Sequence, residues 1–335
     1  MAEPTNRRFL LRTRPEGRVK RSDFELSEQP VPTPAPGEVV LRTRYLSLDP
    51  TNRIWMTDVE QYMPPVAIGE VMRGLGIGEV VASASPDHKV GDLFSGLVGW
   101  QDYIAVVPKA PGWIQLPSGL PVPLPAMLGA LGMTGLTAYF GLMELGKPRA
   151  GETVVVSAAA GAVGSVVGQI AKLQGCHVVG IAGGPEKCAF LRELGFDAAI
   201  DYKAEGWKAA LAAACPRGID IDFENVGGDI MNTVMARMNL HGRVVLCGLI
   251  SGYNSDQRPT GPFDTILMKR LRVEGFIILD YLPRAMEGVM QLSQWMMAGK
   301  LRHHDTIVDG LEQAPEALNM LFDGKNTGKL LIKVS

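Results

Sequence analysis

The residues most suggestive of chemistry begin at Thr153. Val154-Val155-Val156 lead through Ser157 into Ala158-Ala159-Ala160-Gly161-Ala162-Val163-Gly164, and a helix-like run follows to Lys172. A strand, a tight turn of small residues and a helix form the context in which a glycine pattern binds a dinucleotide. Gly161 would let the backbone approach a pyrophosphate, and Gly164 would let the helix pack on its strand. The helix N-terminus would add N–H groups and the positive end of a dipole. Ala159 takes the place of the first glycine, so the pattern is A-x-G-x-x-G; alone, it also suits a plain tight turn. The next strand, His177 to Ala182, ends in Gly183-Gly184-Pro185 with no carboxylate at its tip for the ribose diol of NAD. Lys187 follows within a helical turn and Tyr202 ends the third strand. A cation and a phenol suit a 2′-phosphate, which favours NADP over NAD. Taken singly, Lys187 also reads as a solvated helix residue and Tyr202 as a half-buried strand end.

Residues 1 to about 125 carry short alternating runs, such as Val39 to Tyr45, between turn clusters such as Pro32 to Gly37. That texture is mostly β. From Thr153 strands alternate with helices: the strand candidates are 153–157, 177–182, 198–201, 219–225, 243–249 and 272–278. Helix-like segments lie around 165–174, 186–194, 205–214, 229–239 and 263–270. Alternation of this kind implies right-handed crossovers and a doubly wound parallel sheet, an α/β fold. Beyond residue 300, strand-like pieces at 306–308 and 330–334 flank one helix at 314–322, and would rejoin the first domain. The expected division is therefore residues 1–125 with 303–335 as a mostly β domain, and 126–302 as an inserted nucleotide-binding domain.

Several function classes are disfavoured. Lys plus Arg total 33 against 35 Asp plus Glu, a net charge of -2, so no positive field draws the chain to nucleic acid or anionic lipid. The charge-free stretches 110–143 and 153–171 are long enough to test as membrane spans. Prolines break the first, and the second is the strand-turn-helix. Arg7, Arg8, Arg12, Arg14 and Arg18 would suit a transit peptide, yet Phe9-Leu10-Leu11 is too short for a signal core and Arg14 to Gly17 is turn chemistry, so a first strand is expected. The four cysteines form no C-x-x-C pair and suggest a reducing, cytoplasmic setting. Zinc ligands do not converge: His88 sits between Asp87 and Lys89 in a solvated turn, and the adjacent His303 and His304 read as surface residues of a strand. Asp220 and Asp222 are read as facing opposite sides of their strand. No nucleophile elbow or P-loop is present, and Cys247 reads as packing or a backbone contact rather than a nucleophile.

Ala158 to Gly164, Gly132-Met133-Thr134-Gly135 through Tyr139, Asn225 to Gly228, Cys247 to Asn254 and Gly324 to Lys329 occur in an order that resembles the zinc-free branch of the medium-chain dehydrogenase/reductase superfamily. Within it, the chain is most similar to the prostaglandin reductase and alkenal double-bond reductase group, over nearly its whole length. The resemblance implies a Rossmann-type domain inserted in a mostly β, GroES-like catalytic domain, NADPH as cofactor, and a homodimer joined through sheet edges. It implies hydride transfer to the β-carbon of an α,β-unsaturated aldehyde or ketone. Quinone reduction, or NADPH binding without catalysis, are the alternatives.

By the same resemblance, Gly161, Ala162, Val163 and Gly164 would hold the pyrophosphate, and Lys187 and Tyr202 the 2′-phosphate. Asn225, Cys247, Gly248, Ile250, Ser251 and Tyr253 would meet the ribose and nicotinamide. Phe276, Ile277, Ile278, Asn326, Met133 and Thr134 would complete the nicotinamide pocket. Tyr253 is the catalytic candidate, its phenol bonding the substrate carbonyl as an enolate forms; a purely cofactor-contacting loop tyrosine is the other reading. One departure concerns the substrate: where the group often has tyrosine after Asp49-Pro50, this chain has Thr51, and Trp55 or Tyr62 would have to restore aromatic surface.

Overall fold

Short runs between proline- and glycine-rich turns become strands through the first third of the chain. The computed structural model describes residues 5–119, 121–255 and 260–335. β1 (Thr5–Leu11) and β2 (Phe24–Pro30) form an antiparallel pair, so the arginine-rich beginning is strand and turn. β3 (Val39–Ser47), β4 (Gly76–Ser83), β5 (Leu93–Gly96), β6 (Tyr103–Val106) and β7 (Ile114–Leu116) follow, with the short helix α1 (Thr51–Trp55) after β3. Their alternation buries Phe9, Leu46, Met72 and Trp100 in one core, where the Phe24 and Trp100 rings stack at 5.3 Å.

A second unit begins near Gly129. α2 (Met133–Phe140) runs into a π-helical turn at Gly141–Gly146. Then come β8 (Thr153–Val156), α3 (Ala162–Leu173), β9 (His177–Ala182), α4 (Pro185–Glu193), β10 (Ala198–Asp201), α5 (Trp207–Ala214), β11 (Ile219–Glu224), α6 (Gly228–Met235), β12 (Met238–Leu246), α7 (Phe263–Lys269), β13 (Arg272–Gly275) and α8 (Ala285–Met297). Among the described residues the sheet order is β10-β9-β8-β11-β12-β13, with every pairing parallel. This is the doubly wound arrangement, whose winding reverses between β8 and β11.

The chain then forms β14 (Asp305–Asp309), α9 (Ala314–Asp323) and β15 (Lys329–Lys333), and β15 pairs antiparallel with β3. Two units result. One holds the chain up to Leu128 with Thr306–Lys325 and Leu330–Ser335; the other holds Gly129–Asp305 with Asn326–Lys329.

Some expected elements shift. β12 starts at Met238 and ends at Leu246, five residues before and three before the sequence pattern suggests, and β13 stops at Gly275. α8 escapes the pattern altogether: only Gly288 and Leu292 of its residues are buried, while Met286, Met290 and Met297 are exposed, so apolar residues mark no single face.

The helix-to-sheet spacing rests on small residues. A Cβ at Gly168 of α3 would fall 1.9 Å from the buried Phe196 ring. Gly168→Ala should therefore destabilise the protein by about 1–3 kcal/mol, because a close-packed core accepts added volume only by moving. Urea unfolding followed by circular dichroism measures it.

Candidate active site

The turn after β8 is built for close approach. Ala158 adopts a left-handed conformation, φ 47°, and its carbonyl lies 2.6 Å from where a Cβ on Gly164 would stand. Only glycine fits there. Gly161 caps α3 in extended conformation, and the first helical bond runs from Ser165 N–H to Gly161 O at 3.0 Å. The N–H groups of Ala162, Val163 and Gly164 precede that bond and point outward without intrahelical acceptors. Gly328 reaches the same turn from the far end of the chain, its N–H donating to Ala160 O at 2.7 Å, and Asn326 Nδ2 holds Gly328 O at 3.0 Å. The tail segment carrying Asn326 thus sits on the turn carrying Gly161.

The second strand ends beside two cations. Lys187, in the first turn of α4, has its pKa lowered by burial first and by the nearby Lys203 ammonium second. Tyr202 and Lys203 both crowd Gly183, where a Cβ would meet Lys203 Cε at 2.9 Å and Tyr202 Oη at 3.1 Å. Asp201 Oδ1 fixes this corner by accepting from Gly184 N at 2.8 Å and Lys203 N at 3.0 Å. A half-buried ammonium with a second lysine beside it forms a place where an anion is favoured. Lys187 and Tyr202 were expected from the sequence; Lys203, which stands next to Tyr202 in a turn that periodicity does not resolve, was not, and the structure puts it beside them.

The third cluster lies where β8 and β11 end. Glu224 is fully buried, and its Oε1 accepts from Ser157 Oγ at 2.6 Å, Val226 N at 2.5 Å and Gly227 N at 2.9 Å. Ser157 in turn accepts from Asn225 N at 2.7 Å, and Asn225 Nδ2 donates to Ser157 O at 2.7 Å. The carbonyls of Asn225 and Val226 take the N–H groups of Ile250 and Ser251, and Ser251 Oγ donates to Val226 O at 2.6 Å. In the next turn Leu249 N donates to Tyr253 Oη at 3.1 Å. Asn225, Cys247, Gly248, Ile250, Ser251 and Tyr253 are therefore brought into one patch. Ser157 and Glu224 were not anticipated; the signal was a polar residue ending each of two otherwise buried strands.

Asp222 lies in the same strand as Glu224. Residues two apart on a strand share a face, so the reading of Asp220 and Asp222 as opposed is corrected. Asp220 bonds Thr153 N and Asn239 Nδ2 at the strand's start, whereas Asp222 is buried with neither oxygen hydrogen-bonded. Burial first, then the neighbouring Glu224, pushes the Asp222 carboxyl well above the usual range. Glu224 is also raised by burial, against the pull of the hydrogen bonds it accepts. Two adjacent buried carboxyls cannot both ionise, and the donors favour charge on Glu224, so Asp222 keeps its proton. Burial and then Glu224 push the Cys247 thiol up to about 12, which keeps it a neutral thiol.

The remaining expected residues are placed as follows. Thr134 Oγ1 bonds Gly129 O at 3.0 Å in the first turn of α2, beside Met133. Phe276, just past β13, packs its ring on Phe223 at 6.5 Å and over Gly141, and Ile277 and Ile278 follow it, half-buried. His303 and His304 precede β14 rather than lying in a strand, and His303 is not a plain surface residue. Its side chain is 21% exposed with Nε2 3.5 Å from Asp305 Oδ2, while His304 packs on Phe190. Among the described residues no group of three or more His, Cys, Asp or Glu is disposed to hold a metal, and no helix is long and apolar enough to cross a membrane.

The family model described as the N-terminal domain of oxidoreductase matches residues 7–114, and that described as zinc-binding dehydrogenase matches residues 162–295. The chain is 45% identical over 348 aligned residues to the NADPH-dependent curcumin reductase of Escherichia coli (strain K12), covering 98% of this chain and 97% of that one. It is 40% identical to the 2-alkenal reductase (NADP(+)-dependent) of Nicotiana tabacum, covering 99% and 98%. The chain belongs to the zinc-free alkenal and prostaglandin reductase group of the medium-chain dehydrogenase/reductases. The crystal structure of CurA in complex with NADPH from Vibrio vulnificus superposes with a TM-score of 0.93 at 44% identity, covering 98% of this chain and 99% of that one.

In this reductase-group chain the Thr51 position has a particular neighbour. Trp55 is 7% exposed and belongs to the core, whereas Tyr62 is 41% exposed and its phenol meets the Thr51 hydroxyl. Tyr62, not Trp55, is the aromatic available beside Thr51.

The raised Asp222 carboxyl has a consequence for stability. Above about pH 4 the folded state holds a proton that the unfolded chain releases, so stability falls as pH rises toward the folded pKa. Glu224 contributes with the same sign. In Asp222→Asn most of this decline should vanish, and the variant should gain on the unmodified protein between about pH 4 and pH 7 in urea midpoints.

Proposed function

We propose that the chain is an NADPH-dependent reductase of the C=C bond of α,β-unsaturated aldehydes and ketones. The observation that carries this reading is the joined patch at the ends of β8, β11 and β12, where Ser157, Asn225 and the Tyr253 turn form one hydrogen-bonded surface. Relatives named for NADPH-dependent curcumin and 2-alkenal reduction support it. Gly161, Ala162, Val163 and Gly164 hold the pyrophosphate on the α3 N-terminus, and Lys187, Tyr202 and Lys203 hold the 2′-phosphate. Asn225, Cys247, Gly248, Ile250, Ser251 and Tyr253, with Met133, Thr134, Asn326, Phe276, Ile277 and Ile278, hold the nicotinamide side. Bound NADPH supplies the hydride that reaches the substrate β-carbon. The Tyr253 hydroxyl donates to the substrate carbonyl oxygen and stabilises the enolate, which then takes a proton from solvent at its α-carbon.

No zinc is required in this scheme, because a conjugated carbonyl needs only hydrogen-bond donors to accept the developing charge. Residence in a reducing cytoplasm fits four cysteines that are all free thiols. A homodimer is proposed through β13, an edge strand whose residues are all exposed, next to the exposed Phe263, Leu267 and Met268 of α7.

Loss of reduced-nicotinamide absorbance with a medium-chain 2-alkenal, an aryl enone, a quinone and a saturated aldehyde tests the reaction. The enal and enone should turn over with NADPH preferred to NADH, and the saturated aldehyde should not. Turnover of the quinone alone would replace this reading with quinone reduction. Lys187→Ala should raise KM for NADPH by about 10- to 100-fold, the loss of one charge-assisted contact, and leave KM for NADH nearly unchanged. Tyr253→Phe should lower kcat by about 100-fold with NADPH affinity retained, as expected for removing one donor to a developing oxyanion. Light scattering should return twice the 36.1 kDa chain mass, and a monomer would remove the dimer proposal.

A further inference from the structure

We infer that Glu224 is a positioning residue for the nicotinamide side of the site, acting through Ser157 and the backbone of residues 225–227 on the turn that carries Tyr253. The inference rests on the reductase reading and adds to it a residue that touches neither cofactor nor substrate.

Four facts support it. Glu224 Oε1 gathers one hydroxyl and two backbone N–H groups, from Ser157, Val226 and Gly227, onto a single buried oxygen. Ser157, so held, aims its oxygen at Asn225 N, and its carbonyl holds the Asn225 side chain. With Asn225 and Val226 fixed, their carbonyls are the acceptors for Ile250 N at 3.2 Å, Ser251 N at 3.0 Å and Ser251 Oγ at 2.6 Å. Finally, Glu224's own carbonyl accepts from Cys247 N at 2.9 Å and Gly248 N at 3.1 Å, so the segment leaving β12 is held at the same residue. One residue therefore ties the fingerprint strand, the Asn225 loop and the start of the Tyr253 turn together.

Chain geometry alone would not require a glutamate here. Gly227 and Gly228 both have positive φ, 79° and 60°, so the loop that α6 grows from could take other shapes. A buried acceptor that must satisfy three donors selects one of them. The neutral Asp222 below leaves Glu224 as the group that carries the charge, and donors rather than a cation compensate it.

The test compares Glu224→Ala, Glu224→Gln and Ser157→Ala in the full-length protein. Two affinities are measured, for NADPH and for 2′,5′-ADP, together with kcat on a 2-alkenal. 2′,5′-ADP carries the 2′-phosphate and one 5′-phosphate but no nicotinamide ribose, so it engages Lys187, Tyr202 and the Gly161 to Gly164 turn alone and reports whether the rest of the unit is intact. Glu224→Ala and Ser157→Ala should leave 2′,5′-ADP binding unchanged, weaken NADPH by about tenfold and lower kcat by as much as about 100-fold, the scale of a small misplacement of a reacting group. Glu224→Gln, which keeps the acceptor oxygen, should restore both NADPH affinity and kcat. Should Glu224→Ala fail to fold, Ser157→Ala carries the same comparison. Equal losses of NADPH and 2′,5′-ADP affinity would mark a general structural role and overturn the inference, as would unchanged NADPH affinity and kcat in both alanine variants. Failure of the reductase reading is seen separately, in unmodified protein that binds NADPH but reduces no enone or enal.

Discussion

A carboxylate without water must be met by donors from the protein itself, and at Glu224 this requirement shapes the patch where β8 and β11 of the second unit end. Burying an uncompensated charge costs several kcal/mol, so the fold supplies the Ser157 hydroxyl and two N–H groups from the start of α6. Those donors come from segments that are 67 and only two or three residues away in sequence. Once they converge, the path of the Asn225 loop is set, and with it the anchor points of the turn after β12. Asp222 shows the converse. It has no donors, so it gives up its charge instead of drawing in a loop.

The sheet order explains why these groups can meet. Because the winding reverses between β8 and β11, the chain leaves these neighbouring strands toward opposite faces and opens a crevice at their carboxyl ends. Ser157 leaves one strand there and Asn225 the other. The glycine-lined turn and the α3 N-terminus lie on the β8 side, and the Tyr253 turn follows β12 on the other. At the tip of β9 the two lysines form a separate electrostatic site. The second unit therefore sets three different groups in a row. The N-terminus of α3 lies in the middle, the two lysines at one end and the hydrogen-bonded loop patch at the other.

Much of this was legible in the chain. The A-x-G-x-x-G turn was readable because its small residues stand between a valine strand and an amphipathic helix, and the structure gives the steric reason at Gly164. Lys187 and Tyr202 were readable from the missing acid after β9. Lys203 was not, since adjacency in a turn carries no period. Asp220 and Asp222 were misread, although period-two geometry already places them on one face. α8 was lost because its buried face is only Gly288 and Leu292. Phe276 was expected as a site position, and the packing of its ring on Phe223 was not legible.

What the sequence determines by itself is local: which segments favour strand or helix, where glycine is needed, and which cofactor phosphate a strand tip lacks the acid to refuse. These follow from side-chain spacing and short-range sterics. Tertiary structure alone decided that Ser157 and Glu224 share a hydrogen bond, that Gly328 returns to the fingerprint turn, and that Asp222 is neutral. Each depends on residues far apart in the chain being brought together out of water, where an unmet hydrogen bond or an unpaired charge becomes costly enough to select one arrangement.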